Sequence, residues 1–109
     1  MMTFGKAIDI LNTARNGKKK LENNTYLVKV DDHTLAVRLH QTNVVLIHSD
    51  GSYTLNTGGW HTVTTKDRIN YYSPVSLYQK KFMWYVGGSH RFTDGMKVDS
   101  NGVPVVKAA

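Results

Sequence analysis

Cysteine is absent from the 109 residues, so neither a disulfide nor a thiolate metal site can form. Proline occurs twice, at Pro74 and Pro104, and Glu22 is the single glutamate. The aspartates fall mostly in turn-like segments (Asp31, Asp32, Asp50, Asp94, Asp99), where this residue serves the backbone. A carboxylate pair for glycoside chemistry therefore has no obvious candidates. No run approaches the ~18 apolar residues that a membrane-spanning helix needs. The opening Met1-Met2-Thr3-Phe4-Gly5-Lys6 lacks the apolar stretch of a secretory signal, so none is expected. The G-x-S-x-G elbow, the G-x-x-x-x-G-K-[ST] phosphate loop and the H-E-x-x-H zinc motif are all missing.

What is present reads as one folded domain over 1–109. Hydrophobic residues are 40% and charged residues 20%, a globular balance. Fourteen Lys and Arg against eight acids leave +6, which favours acidic partners, nucleic acid first, or simply keeps a small protein soluble. Residues 3–16 are expected to form an N-terminal α-helix. Phe4, Ala7, Ile8, Leu11 and Ala14 make an apolar stripe, Thr3 is the N-cap and Gly17 the stop. Lys18, Lys19 and Lys20 then lie at the negative end of the helix. Residues 24–106 are expected to form a β-rich body. Strands are read near 26–30, 33–40, 44–48, 52–55, 60–64, 75–79 and 82–86, with a short helical turn near 65–70 capped by Thr65. Gly87-Gly88 breaks the pattern, and 103–106 reads as an edge strand because Pro104 cannot donate to an interior ladder. The fold class is mainly β (α+β): an antiparallel meander curled into a small barrel, which removes exposed edges.

Five histidines invite a metal, but His33, His40, His48, His61 and His90 are scattered. Two-residue hairpin loops at Asp50-Gly51 and Thr57-Gly58 set Ile47 opposite Thr54 and His48 opposite Tyr53. They also set Thr54 opposite His61, so His48 and His61 point to opposite faces. No metal, cofactor or catalytic residue is expected. The remaining candidate is a polar, basic and aromatic surface. Thr62, Thr64, Thr65, Lys66 and Arg68 concentrate hydroxyls and cations at a helix start, the groups that hold a phosphate. Arg38, His40 and His61 come from the same meander, and Trp60 offers a ring for stacking. The competing reading makes the threonines β-formers with a helix cap and puts Trp60 in the core beside Leu46 and Leu55.

A longer string carries a resemblance. Asn23-Asn24-Thr25-Tyr26 is followed by Ala36-Val37-Arg38-Leu39-His40-Gln41-Thr42-Asn43-Val44-Val45 and Asp50-Gly51. Then come Leu55-Asn56-Thr57-Gly58-Gly59-Trp60 and Thr62-Val63-Thr64-Thr65-Lys66-Asp67-Arg68-Ile69-Asn70. The combination resembles a group of small proteins of tailed bacteriophages. The resemblance implies a setting, the cytoplasm of an infected bacterium, and no mechanism. In that setting a small basic protein either binds nucleic acid or a nucleotide without catalysis, or binds a host bacterial protein to redirect or block it. The second role needs an exposed apolar patch, with Phe82, Trp84 and Tyr85 as candidates. No membrane partner is expected, and a homodimer is an admissible assembly.

Overall fold

A computed structural model of the chain describes residues 1–14, 16–87 and 90–105. Helix α1 spans Phe4–Leu11 and is followed by five strands: β1 Lys18–Glu22, β2 Thr25–Asp31, β3 Thr34–Leu39, β4 Thr42–His48 and β5 Tyr53–Leu55. Helix α2, Val63–Tyr72, leads into β6 Leu77–Lys80, β7 Met83–Val86, β8 His90–Arg91 and β9 Met96–Val98. The larger sheet has the order β1-β2-β3-β4-β5-β9, and β6-β7-β8 form a second one. All registered pairs are antiparallel. The fold is therefore mainly β with two helices.

The expected barrel does not form. β1 and β9 end at opposite edges of the larger sheet and do not pair. Each edge is protected by its own residues instead. Lys18, Lys19 and Lys20 lie on edge strand β1 rather than beyond a helix end, and lysine on an edge resists strand addition. At the other edge Pro104 bridges Val98, and the Val105 N–H donates to Lys97 O (2.8 Å). The β-rich body thus begins at Lys18, six residues before the expected boundary, and the expected end at Val106 lies outside the described residues.

Local chemistry explains the other departures. Thr3 does cap α1, its Oγ1 accepting from the Lys6 N–H (3.2 Å). The helix stops at Leu11 with Asn12 as C-cap, well short of Gly17, which turns the chain into β1 at φ 63°. Arg15, within the expected helix, lies outside the described residues, as does Gly88. The unbroken apolar run at 44–48 reflects a bulge. Val37 pairs Val45 while Arg38 pairs Asn43, so the extra residue Val44 turns inward and both valines are buried. Residues 49–51 make a three-residue loop, with the His48 N–H donating to Ser52 O (3.0 Å). The register moves by one, and Ile47 faces Tyr53. Thr57-Gly58 is not a hairpin and 60–64 is not a strand. Gly58 and Gly59 turn the chain away at φ 63° and 89°, and β5 pairs with distant β9. The expected short helical turn is ten residues long and is capped by Thr62, whose Oγ1 accepts from the Thr65 N–H (3.1 Å).

One buried cluster joins both sheets to both helices. Leu35, Val37 and Leu39 of β3 meet Leu27 of β2, Val45 and Ile47 of β4, Ala7 and Leu11 of α1, and Ile69 and Tyr72 of α2. Leu77, Trp84, Val86 and Phe92 bring in the second sheet. The start of β6 is fixed by Asn70, whose amide donates to Leu77 O (2.9 Å) and accepts from the Leu77 N–H (2.6 Å), as a neighbouring strand would. Tyr53 Oη donates to Met2 O (2.9 Å), which ties down the chain start. Among the described residues no helix is long and apolar enough to cross a membrane.

On the face of the large sheet turned away from this core, His48 bridges three strands. Its Nε2 meets Thr54 Oγ1 at 2.7 Å and its Nδ1 meets Thr34 Oγ1 at 3.3 Å. Partial burial holds its pKa below the ordinary 6.5; nearby Lys97 adds to this, and Asp50 and Asp31 oppose it. The unfolded chain then takes up a proton more readily, so stability present above pH 6.5 is lost as pH falls through the folded-state value. Urea midpoints are expected to drop on acidification below pH 6.5, and His48→Gln is expected to flatten that part of the profile. Gly102 yields a second prediction. It is buried at φ 80°, and a Cβ there would lie 2.6 Å from Pro74 O. Gly102→Ala is expected to cost about 2–4 kcal/mol in urea unfolding, from backbone strain plus overpacking.

Candidate functional site

Three turns and the start of a helix converge at one end of the large sheet and enclose a cavity of about 750 Å³. The β1–β2 turn supplies Asn23 and Asn24, and the β3–β4 turn supplies His40, Gln41 and Thr42. The turn after β5 supplies Thr57 and Trp60, and α2 with its cap residue Thr62 supplies Thr62, Thr64, Thr65 and Arg68. Leu39 and Val44 complete the apolar part.

Each wall is held by identifiable contacts. Asn24 and His40 have left-handed backbones, φ 56° and 55°, and the His40 N–H donates to Asn24 O (2.8 Å), locking the two turns together. Such backbones disfavour residues with a Cβ, although Asn and His tolerate them better than most. Arg68 braces the same corner. Its Nε donates to Thr25 Oγ1 (2.8 Å) and its Nη1 pairs with Glu22 Oε1 (3.1 Å). The second Glu22 oxygen accepts from Tyr72 Oη. Burial, followed by the Glu22 contacts, raises the Tyr72 pKa well above the usual phenol range. Tyr72 is therefore a neutral donor, and Arg68 and Glu22 compensate one another. Thr57, fully buried, donates from N and Oγ1 to Asp94 Oδ1 (both 2.8 Å). Its Oγ1 also accepts from the Gly59 N–H (3.1 Å). Gly58 presses on Thr42, where an added Cβ would lie 2.7 Å from Oγ1. The loop carrying Trp60 is thus pinned from two sides.

The structure divides the nine candidate residues. Six line the cavity: His40, Trp60, Thr62, Thr64, Thr65 and Arg68. Three do not. Arg38 is on the sheet face opposite Leu35, Val37 and Leu39, with its Nε donating to Asn43 Oδ1 (2.9 Å). His40 does not share that face, because it begins the turn after β3. The His61 and Trp84 rings meet in a T-shaped arrangement, with centroids 5.0 Å apart and planes at 78°. Lys66 lies on α2, outside the lining. Trp60 is 66% exposed, so the reading that places it in the core beside Leu46 and Leu55 fails. The residues missed by sequence reasoning are the amides Asn23, Asn24 and Gln41, with Thr42 and Thr57. Their signal was turn chemistry, and it did not say which turns meet in space. No group of His, Asp and Glu with metal-binding geometry occurs among the described residues.

The lining is thus an exposed indole, a ring of neutral hydroxyls and amides, one histidine and one charge-compensated arginine. Hydroxyls and amides both donate and accept, which suits the edge of a heterocycle. A family model for the Kyanoviridae Gp96 protein matches residues 6–99, and the chain belongs to that phage protein family. No curated protein and no solved structure matches the chain. The Thr57–Asp94 contact is the part of the site most open to a stability test. Thr57→Val is expected to cost about 1–3 kcal/mol in urea unfolding, because it removes a hydrogen bond to a carboxylate.

Proposed function

We propose that this Kyanoviridae Gp96 family member binds a nucleotide unit, free or in an unpaired strand, without converting it. Its place of action in this reading is the cytoplasm of the infected host. The observation that carries the reading is the convergence of Trp60, the Asn and Gln amides and the α2 start on one cavity of about 750 Å³, a size typical of small-ligand pockets. The base stacks on the indole, and Asn23, Asn24 and Gln41 meet its edge. His40 and the positive end of α2 face the sugar-phosphate. Arg68 acts chiefly as a brace, since Glu22 already compensates it.

This makes pocket binding base-dominated rather than phosphate-dominated. Titration with nucleosides, nucleoside monophosphates and inorganic phosphate, followed by calorimetry, tests it. Nucleosides and nucleotides are expected to bind within a few fold of each other, and inorganic phosphate not to bind. Trp60→Ala is expected to lose about tenfold or more in affinity, the usual worth of one stacked base, read by calorimetry. Absence of any response to all four bases would reject the reading and turn attention to host proteins.

A further inference from the structure

A second surface carries its own chemistry. Residues 68–93 contain no Asp or Glu, yet hold Arg68, Lys80, Lys81 and Arg91. Within this stretch Leu77, Trp84 and Val86 face the core, so the alternate residues of the second sheet face outward. Tyr78 pairs with Tyr85 across the strands, their rings stacked at 5.7 Å and 25°. Lys80 pairs with Met83, and Arg91 pairs with Tyr85 and donates from Nη2 to Met83 Sδ (3.3 Å). None of the three ion pairs among the described residues includes Lys80, Lys81 or Arg91. This face is therefore uniformly cationic, with aromatic rings set between the charges.

Its tip is unusual. Lys81 and Phe82 form a two-residue turn with φ 51° and 67°. That is the I′ pattern, for which Asn-Gly is the favoured pair. A bulky aromatic residue is a poor choice there, and Phe82 gains no packing in return, since it is 93% exposed. Trp84 and Tyr85, the other two aromatics of the expected apolar patch, are buried and half-buried. A ring held out in solvent on a strained turn, at the end of a sheet face that carries two stacked tyrosines and cations outside any ion pair, is suited to a ligand with flat faces and repeating negative charge.

We propose that the outer face of the second sheet, with Phe82 at its tip, is a stacking platform for single-stranded nucleic acid. Bases stack on Phe82 and the tyrosine pair, and Lys80, Lys81 and Arg91 meet phosphates. A duplex keeps its bases stacked on each other and cannot offer those faces. The site stands on residues separate from the cavity lining and goes beyond the pocket reading. Three phosphate contacts set the salt dependence, a slope of about −2 in log affinity against log salt.

The test uses the full chain and labelled oligothymidylate and oligouridylate of about 20 nucleotides, longer than the ~4–16 that one small domain covers. A duplex of equal length is the control. The wild type is expected to prefer the single strands and to follow the stated salt slope. Phe82→Gly relaxes the turn, so its melting temperature is expected to hold or rise while strand affinity falls about tenfold. Phe82→Trp is expected to keep strand affinity. Unchanged affinity in Phe82→Gly would overturn the proposal, as would equal or tighter duplex binding, or no strand binding at low salt. Loss of strand binding in Trp60→Ala, with Phe82→Gly unaffected, would put the strand in the pocket and overturn the platform alone. Loss of mononucleotide binding in Trp60→Ala bears on the pocket and leaves the platform standing.

Discussion

Arg68 reaches from the middle of α2 to the β1–β2 hairpin, where it meets Glu22 and Thr25. Glu22 in turn holds the Tyr72 hydroxyl one helical turn further on. A single guanidinium thereby fixes the helix against the edge region of the large sheet. The cavity wall formed by Asn23 and Asn24 depends on that distance being held. So does the presentation of Thr62, Thr64 and Thr65 at the other end of the same helix. An arginine suits the position because its planar fork serves a carboxylate and a hydroxyl at once. The same engagement lowers its value as a ligand contact, which is why the pocket reads as a site for a base more than for a phosphate.

The molecule separates two tasks that a basic sequence runs together. Charge compensated within the fold, as at Arg68–Glu22, positions elements. Of the cations outside any such pair, Lys80, Lys81 and Arg91 lie on the second sheet, in the acid-free stretch between Asp67 and Asp94, while Lys18, Lys19 and Lys20 line the β1 edge. Strain is divided in a similar way. The left-handed backbones at Asn24 and His40 lie in turns that lock together by a backbone hydrogen bond. The one at Phe82 lies in a hairpin turn closed by the Lys80–Met83 pair, and its side chain stands in solvent.

Much of the architecture was legible in the residues. Alternation in β3, the turn residues between strands and the Thr3 cap gave the meander, the first helix start and the mainly β class. Proline placed the far edge at Pro104. Registers were less legible, because they turned on single residues. One extra residue in the loop after His48 moved the β4–β5 pairing by one, and Val44 as a bulge mimicked a strand buried on both faces. The two glycines after Thr57 looked like a hairpin, but the carboxylate that stabilises that loop comes from Asp94, far along the chain.

The sequence by itself determined the chemistry available: no thiol, one glutamate, a cationic excess, and a threonine-rich helix start beside a tryptophan. It also determined most local elements, since caps, turns and alternation are written over a few neighbouring residues. The tertiary structure alone decided which of those groups meet. It brought Asn23, His40, Trp60 and Thr64 to one cavity, sent Arg38 to the opposite sheet face, and left the sheet open rather than closed. The physical reason is that β pairing and helix docking join residues distant along the chain. Their partners are chosen by the fit of whole buried faces, not by any short stretch of residues.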